Sequence, residues 1–286
     1  MKYAVSIYKN QDIQHLKDIA DSFVLYIPKM SCVYDPEFNI DSALEELKGK
    51  EIILGINKVY LEWELDALRE FVLRYSGYKF LVSDLGAVQI LKEAGLLANV
   101  IYDPNTLICN SMELELFSRY GFSALGMSSE IPLADVQSAY RRTEAKIFYQ
   151  VFGRKIMFYS KRKLVDIYKE FSGLEFGSEG MELQEFMRTE KYPIFYNEGG
   201  TYVYRDYLIS LLKEMKNLSF LEYAYIEGIT LNPEIIAKIA LIFKKSAEIE
   251  DISELENELL ALDLNIKDGF AYKDTAYVKE GFDGKN

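Results

Sequence analysis

Short apolar runs alternate with amphipathic stretches along most of the chain, and that rhythm predicts its elements. Tyr3–Tyr8 reads as a strand, followed by a helix over Gln11–Ser22 and a second strand, Phe23–Ile27. A turn-rich segment, MSCVYDPEFN, leads to a helix over Asp41–Lys48, with Asp41 placed to cap it. The cycle then repeats: strand Glu51–Ile56, helix Leu61–Tyr75; strand Phe80–Ser83, helix Leu85–Glu93 closed by Gly95; strand Asn99–Tyr102, helix Ser111–Tyr120. Strand Ser123–Met127, helix Leu133–Arg141 and strand Lys146–Val151 follow, and an eighth pair is expected at Leu221–Ile226 and Pro233–Lys244. Strands alternating with helices of this length imply βαβ units and a parallel sheet.

Eight such units predict an α/β (β/α)8 TIM-like barrel. A doubly wound open sheet is the alternative, but it wants a Gly-rich phosphate turn after the first strand, and IYKNQD has no glycine. The barrel is expected over residues 1–250. It includes a β-rich insertion at about 173–206 whose PIFYNEGGTYVYRD centre reads as a hairpin turning at Asn197–Gly200. Residues 251–286 read as a last helix over Asp251–Asp263 and an appended strand in GFAYKDTAYV.

Composition narrows the chemistry. The 286 residues are 49% hydrophobic, enough for a real core. No apolar stretch approaches the ~18 residues that cross a bilayer, and Met1-Lys2-Tyr3 leads straight into the run AVSIY, so a cytoplasmic protein without a membrane segment is expected. Cys32 and Cys109 are the two cysteines and form no CxxC, so neither a disulfide framework nor a cysteine-ligated metal is supported. The single histidine, His15, sits in what reads as a surface helix, which excludes histidine-based triads and zinc sites.

The net charge is −12, which argues against broad nonspecific nucleic-acid binding. One window opposes that balance. Arg141–Lys163 carries eight basic residues and one acid, Glu144, a local excess of 8 − 1 = +7. KIFYQVFG in its middle has strand composition, so a strand is expected to run into a basic loop beginning at Gly153 and to meet an anion there. A solvated charged loop is the plainer alternative.

In a barrel, binding and chemistry belong just past the strand C-termini. Those positions supply Asn57 and Lys58; Ser83 and Asp84; Asp103, Asn105, Thr106 and Asn110; Ser128, Ser129 and Glu130; Arg154, Lys155, Tyr159, Ser160, Lys161 and Arg162; and Glu227. Glu227, Glu130 and Asp84 are the candidate general bases. Asn57, Lys58, Asn110, Arg154, Lys155, Tyr159, Ser160, Lys161 and Arg162 are the candidate binding groups. Each also has a structural role open to it: Asn57 and Asn110 suit turns or helix caps, Asp84 and Glu130 suit helix dipoles, and Glu227 suits pairing with a barrel cation such as Lys58.

Several segments resemble the collagenase-like peptidase family U32. They are VSDLGAVQILKEAG from Val82, ICNSMELELFSRYGFSALGMSSEIPL from Ile108, VFGRKIMFYSKRKL from Val151, YIEGITLNPEIIAKIALIFKK from Tyr225 and, more weakly, NEGGTYVYRDYL. The likeness runs from about Lys2 to Lys244. Two departures stand out. Many members carry four cysteines around and after the seventh-strand loop, some of which hold an iron–sulfur cluster, whereas here that region has none, and Ile229 replaces an arginine expected after Glu227-Gly228. The resemblance implies either a peptidase or collagenase, or a part in prephenate-linked hydroxylation of RNA, such as 5-hydroxyuridine formation at the tRNA wobble position. For a short cysteine-free member it implies a cluster-free chain working beside a longer, cluster-bearing relative, with tRNA and a small anion such as prephenate as partners. In that reading Arg154, Lys161 and Arg162 meet the anion, and Tyr159 stacks or hydrogen-bonds. A non-catalytic scaffold that pairs with a cysteine-bearing relative is the third expectation.

Overall fold

Eight parallel strands close into a barrel in the computed structural model, which describes residues 1–175, 177 and 180–273. They are β1 (Lys2–Ile7), β2 (Ser22–Tyr26), β3 (Glu51–Ile56), β4 (Lys79–Val82), β5 (Val100–Tyr102), β6 (Ala124–Gly126), β7 (Ile147–Gly153) and β13 (Tyr223–Ile226). Each pairs with its sequence neighbour, and β13 pairs with both β7 and β1 to shut the ring. Helices lie between the strands, so the chain is the (β/α)8 barrel that the alternation predicts.

The two faces of the strands separate with a period of two. Val5, Phe23, Leu54, Val82 and Ile226 point outward into one apolar cluster with the helices. Ala4, Val24, Ile53, Leu81, Ile101, Ala124, Phe148 and Tyr225 point inward and fill the lumen. The barrel is therefore a packed core with usable ends.

The strand-entry end is plugged by charge. Glu51 accepts from Lys79 Nζ at 2.7 Å, Ser22 Oγ at 2.6 Å and Tyr223 O–H at 3.1 Å, and Lys2 Nζ lies 3.1 Å away. Against the upward push of burial, the hydrogen bonds from Lys79, Ser22 and Lys2 pull its carboxyl down to about 2. A carboxyl depressed on folding stabilises above its unfolded value and loses that contribution as pH falls through its folded value. Glu51→Gln is expected to lower the melting temperature at pH 7, with the gap to wild type closing between about pH 4.5 and about 2. A constant gap across a pH series of melting curves would rule out this linkage.

The strand-exit end is covered by the insertion. Here β8 (Ile156–Ser160), β9 (Glu182–Gln184), β10 (Lys191–Asn197) and β11 (Gly200–Tyr204) form an antiparallel sheet in the order β8-β11-β10-β9. Asn197 pairs with Gly200 as the sequence predicts, and Asn197 Nδ2 donates to Cys32 O at 2.8 Å, which ties the hairpin tip to the loop after β2. Tyr202 and Tyr204 join the lumen cluster from above. Two further strands, β12 (Leu208–Ser210) and β14 (Ile266–Lys267), extend the barrel sheet; β12 runs antiparallel to the end of β7, where β6 has already stopped.

Several expected elements differ. The helix over Gln11–Ser22 is a single α-turn, Ile13–Leu16, after a 3-10 turn, because Lys244 Nζ takes the Ile19 carbonyl and Asp21 takes the Tyr3 N–H. Asn39, not Asp41, caps the next helix by accepting from Ser42 N, and Asp41 instead meets Arg74 and Tyr75. Part of the expected basic loop after Gly153 is strand β8, stabilised by pairing with β11, and the helix Leu164–Ser172 follows it. The appended strand expected in GFAYKDTAYV is a turn over the described residues 269–272, and its continuation past Lys273 lies outside the described residues.

Candidate functional site

Glu227 directly follows β13 and is buried among donors. Its Oε1 accepts from Tyr8 O–H at 3.0 Å and Ile229 N–H at 2.9 Å, and its Oε2 accepts from Tyr26 O–H at 3.0 Å and Tyr225 O–H at 2.6 Å. Two donors per oxygen use the carboxylate's full acceptor capacity. The rings of Tyr8 and Tyr26 stack at 4.3 Å, and burial, followed by the Glu227 charge, pushes all three phenols well above their ordinary range. Gly153 makes this arrangement fit. Its φ is +114°, and a Cβ there would run into the backbone oxygen of Glu227, so β7 passes the Glu227 backbone only as glycine.

The cations are not one patch. Arg141 and Arg142 end the helix Leu133–Thr143 and Lys146 precedes β7, at the strand-entry end, whereas Arg154 onward lies beyond the strand. Seven residues at ~3.3 Å each separate the groups, so the +7 window is contiguous in sequence and divided in space.

The exit-side cations differ in what already holds them. Lys58 Nζ lies 2.6 Å from Glu64 Oε1 and Lys161 Nζ lies 2.9 Å from Glu64 Oε2, so the two lysines share one buried carboxylate and the trio keeps a net positive charge. Lys58 therefore pairs with Glu64 and not with Glu227. Arg154 is held by neutral oxygens, donating from Nε to Thr230 Oγ1 at 3.0 Å and from an Nη to Arg205 O at 2.8 Å. Burial lowers its pKa, with Asp206 and Glu182 opposing. The Lys155 ammonium has no hydrogen-bond or ion-pair partner among the described residues, while its carbonyl accepts from Arg205 N; burial lowers its pKa, offset mainly by Asp103 and Glu227. Asp103, whose carboxyl is pushed up by burial, packs where Gly126 leaves room. The hollow beside Lys155, lined by Ser129, Tyr149 and Arg205, measures about 20 Å³, which suits a single water.

The remaining candidates fall into structural roles. Asp84 accepts from Ala87 N at 3.0 Å and Asn110 from Met112 N at 3.0 Å and Glu113 N at 3.1 Å, each capping a helix. Asn57 accepts from Cys32 N at 3.2 Å. Glu130 reaches Arg205 at 3.4 Å. Ser160 Oγ accepts from Arg162 N, and the Arg162 side chain is exposed. Tyr159 stacks on Tyr202 with ring centroids 4.9 Å apart, each hydroxyl buried without a well-formed hydrogen bond.

A hollow of about 180 Å³ lies beside Lys58 and Glu64, and larger open space lies elsewhere on the rim. A hollow of about 520 Å³ between the β1, β2 and β13 exits adjoins one of about 950 Å³ running beneath β10 to the C-terminal segment. Both are lined by Lys9, Phe195, Thr230 and Leu231; Tyr8 walls the first and Arg154 the second. Of the sequence candidates only Arg154 borders this cleft, and Glu227 stands one phenol behind it. Sequence reading missed Tyr8, Tyr26, Tyr225, Lys9, Glu64 and Phe195. For the tyrosines a signal existed, since each sits at or beside a strand end in a chain with 22 of them.

A four-thiolate cluster does not fit this chain. Cys32 follows β2, is buried and has its thiol pushed up to about 12 by burial, while Cys109 lies in the loop after β5, three strands around the ring.

A closed parallel barrel whose strand exits carry a roofing hairpin and a cleft is a TIM-barrel architecture. The family model "Peptidase family U32" matches residues 38–265, and the chain belongs to that family. A curated relative, the "tRNA hydroxylation protein P2" of Bacillus subtilis (strain 168), is 22% identical over 253 residues, covering 80% of this chain and 82% of the relative. Among solved structures, a chain of the tryptophan synthase complex from Pyrococcus furiosus superposes with a TM-score of 0.41 at 13% identity, over 91% of this chain and 98% of that one. No helix among the described residues is long and apolar enough to cross a membrane.

Proposed function

We propose that this chain acts in tRNA hydroxylation, at the wobble uridine, as a cluster-free subunit beside a longer cysteine-bearing member of its family. The observation that carries the reading is the similarity to a tRNA hydroxylation protein over 80% of this chain, at 22% identity. Prephenate, or an anion of its kind, is the small ligand of this reading. Arg154, Lys155 and Arg162 are the candidate cations without a carboxylate partner among the described residues, and so are the groups left for an anion; Lys58 and Lys161 are taken by Glu64.

A peptidase needs a base that can activate water. Glu227 has no acceptor site left, Asp84 caps a helix and Glu130 pairs with Arg205. That weighs against hydrolysis and in favour of the tRNA reading. The test is mass spectrometry of nucleosides from bulk tRNA in wild type and in a strain lacking this gene. Loss of nucleosides derived from 5-hydroxyuridine is expected. An unchanged profile, with redundant genes also removed, would overturn the reading.

A further inference from the structure

We propose that the cleft between β10 and the exits of β1 and β13 holds one nucleotide of a looped RNA, with its phosphate on Arg154 and Lys9 and its base against the ring of Phe195. This rests on the tRNA reading and adds to it the place where the RNA is gripped.

Size comes first. The two adjoining hollows, about 520 and 950 Å³, form a trench of the scale that holds organic ligands of drug size. An inorganic anion would leave most of it empty. Charge comes second. Arg154 is the guanidinium on its wall, fixed in place by the Thr230 hydroxyl and the Arg205 carbonyl. Neutral partners orient the group without cancelling its charge, so its remaining N–H groups keep their preference for phosphate. Asp206 and Glu182 lie within electrostatic reach but form no ion pair with it. Lys9 stands where the two hollows meet, its exposed ammonium 3.9 Å from the half-buried Asp35, a long contact that is loosely made.

Aromatic surface comes third. Phe195 lines both hollows, and its ring is steadied edge-on against Tyr204 at 5.4 Å. A fixed ring beside a cation is the arrangement on which single-stranded bases stack. The same cleft limits how much RNA it holds. Asp12, Asp35, Glu182 and Asp263 also line it, and four carboxylates do not suit a track of successive phosphates. One nucleotide splayed from a loop meets the two cations and the ring together. A duplex keeps its bases stacked inside and offers none to Phe195.

The experiment is fluorescence anisotropy of the full chain with a labelled anticodon stem-loop RNA and with a blunt RNA duplex of equal length. Arg154→Gln is expected to weaken stem-loop binding about tenfold and to reduce the salt slope by about one. Phe195→Leu is expected to weaken it by a similar factor, about that of one lost stack, while Phe195→Tyr, which keeps the ring, binds as wild type. Lys213→Gln, at an exposed lysine paired with Glu256, leaves binding unchanged. Melting curves of each variant establish that it is folded. The assignment is overturned if folded Arg154→Gln and Phe195→Leu both bind as wild type, if the duplex binds as well as the loop, or if wild type binds neither RNA. If it falls in any of these ways while gene deletion still removes the hydroxylated nucleosides, the cleft is wrong and the tRNA role stands. If deletion also leaves tRNA unchanged, both fall.

Discussion

Glu227→Ala is expected to destabilise this chain strongly, lowering its melting temperature by roughly 5–8 °C. The carboxylate accepts from three phenols and one backbone N–H, all buried but the part-buried bond from Tyr8. Removing it leaves Tyr26 and Tyr225 with each other at 2.8 Å, but strands the Ile229 N–H and the Tyr8 hydroxyl beside a new cavity. Orphaned donors and lost volume together cost about 3–5 kcal/mol. Glu227→Gln should cost less, about 1–2 kcal/mol, because phenols can rotate to accept from the new amide whereas the Ile229 N–H cannot. That difference makes the amide the informative variant. If it remains folded at the assay temperature and tRNA hydroxylation persists, the carboxylate only organises the rim. If hydroxylation vanishes in a folded protein, its charge takes part in function. Calorimetric scans of both variants check the stability half, and an alanine variant melting within about 2 °C of wild type would refute the packing argument.

The barrel was legible because strand periodicity is a local property. EIILGI and LGAVQILKE announce a buried strand and an amphipathic helix without help from the rest of the chain, and both occur at the expected boundaries. The failures have tertiary causes. IMFYS is a strand because β11 comes back beside it more than forty residues later, and neither its composition nor its basic flank carries that pairing. The segment 11–22 has helical character, but Lys244, from the last barrel helix, takes one of its carbonyls and stops it after one turn.

The site was less legible, for a related reason. A charged residue at a strand exit is visible in sequence, but its counterion is not. Arg154, Lys155 and Lys161 look alike in VFGRKIMFYSKRK. In space one is held by neutral oxygens, one is partly buried within electrostatic reach of Asp103, and one shares with Lys58 a glutamate almost a hundred residues earlier. Glu227 was legible as a strand-exit acid. Its phenolic ring of donors was not, because Tyr8, Tyr26 and Tyr225 converge only when β1, β2 and β13 become neighbours.

Glu64 gives the second large effect. It holds Lys58, which is 6% exposed, while itself 9% exposed, and also binds Lys161 and the Leu61 N–H at 2.7 Å. Glu64→Ala is expected to cost about 3–5 kcal/mol, since it leaves the Lys58 ammonium buried with no counter-charge. The double variant Glu64→Leu with Lys58→Met should recover most of that loss, because desolvating two charges offsets much of what their pairing returns. The pH dependence provides an independent check. Burial lowers the pKa of Lys58 even with Glu64 present, so without Glu64 the depression deepens. Over the interval between that folded value and the ordinary lysine value, the unfolded chain binds more protons, and stability rises with pH. The deficit of Glu64→Ala relative to wild type should therefore shrink as pH rises toward the ordinary lysine value, where the stranded amine sheds its proton. A deficit independent of pH, or a double variant no better than the single one, would mean that the carboxylate acts through its Leu61 contact and that Lys58 is not the burden proposed.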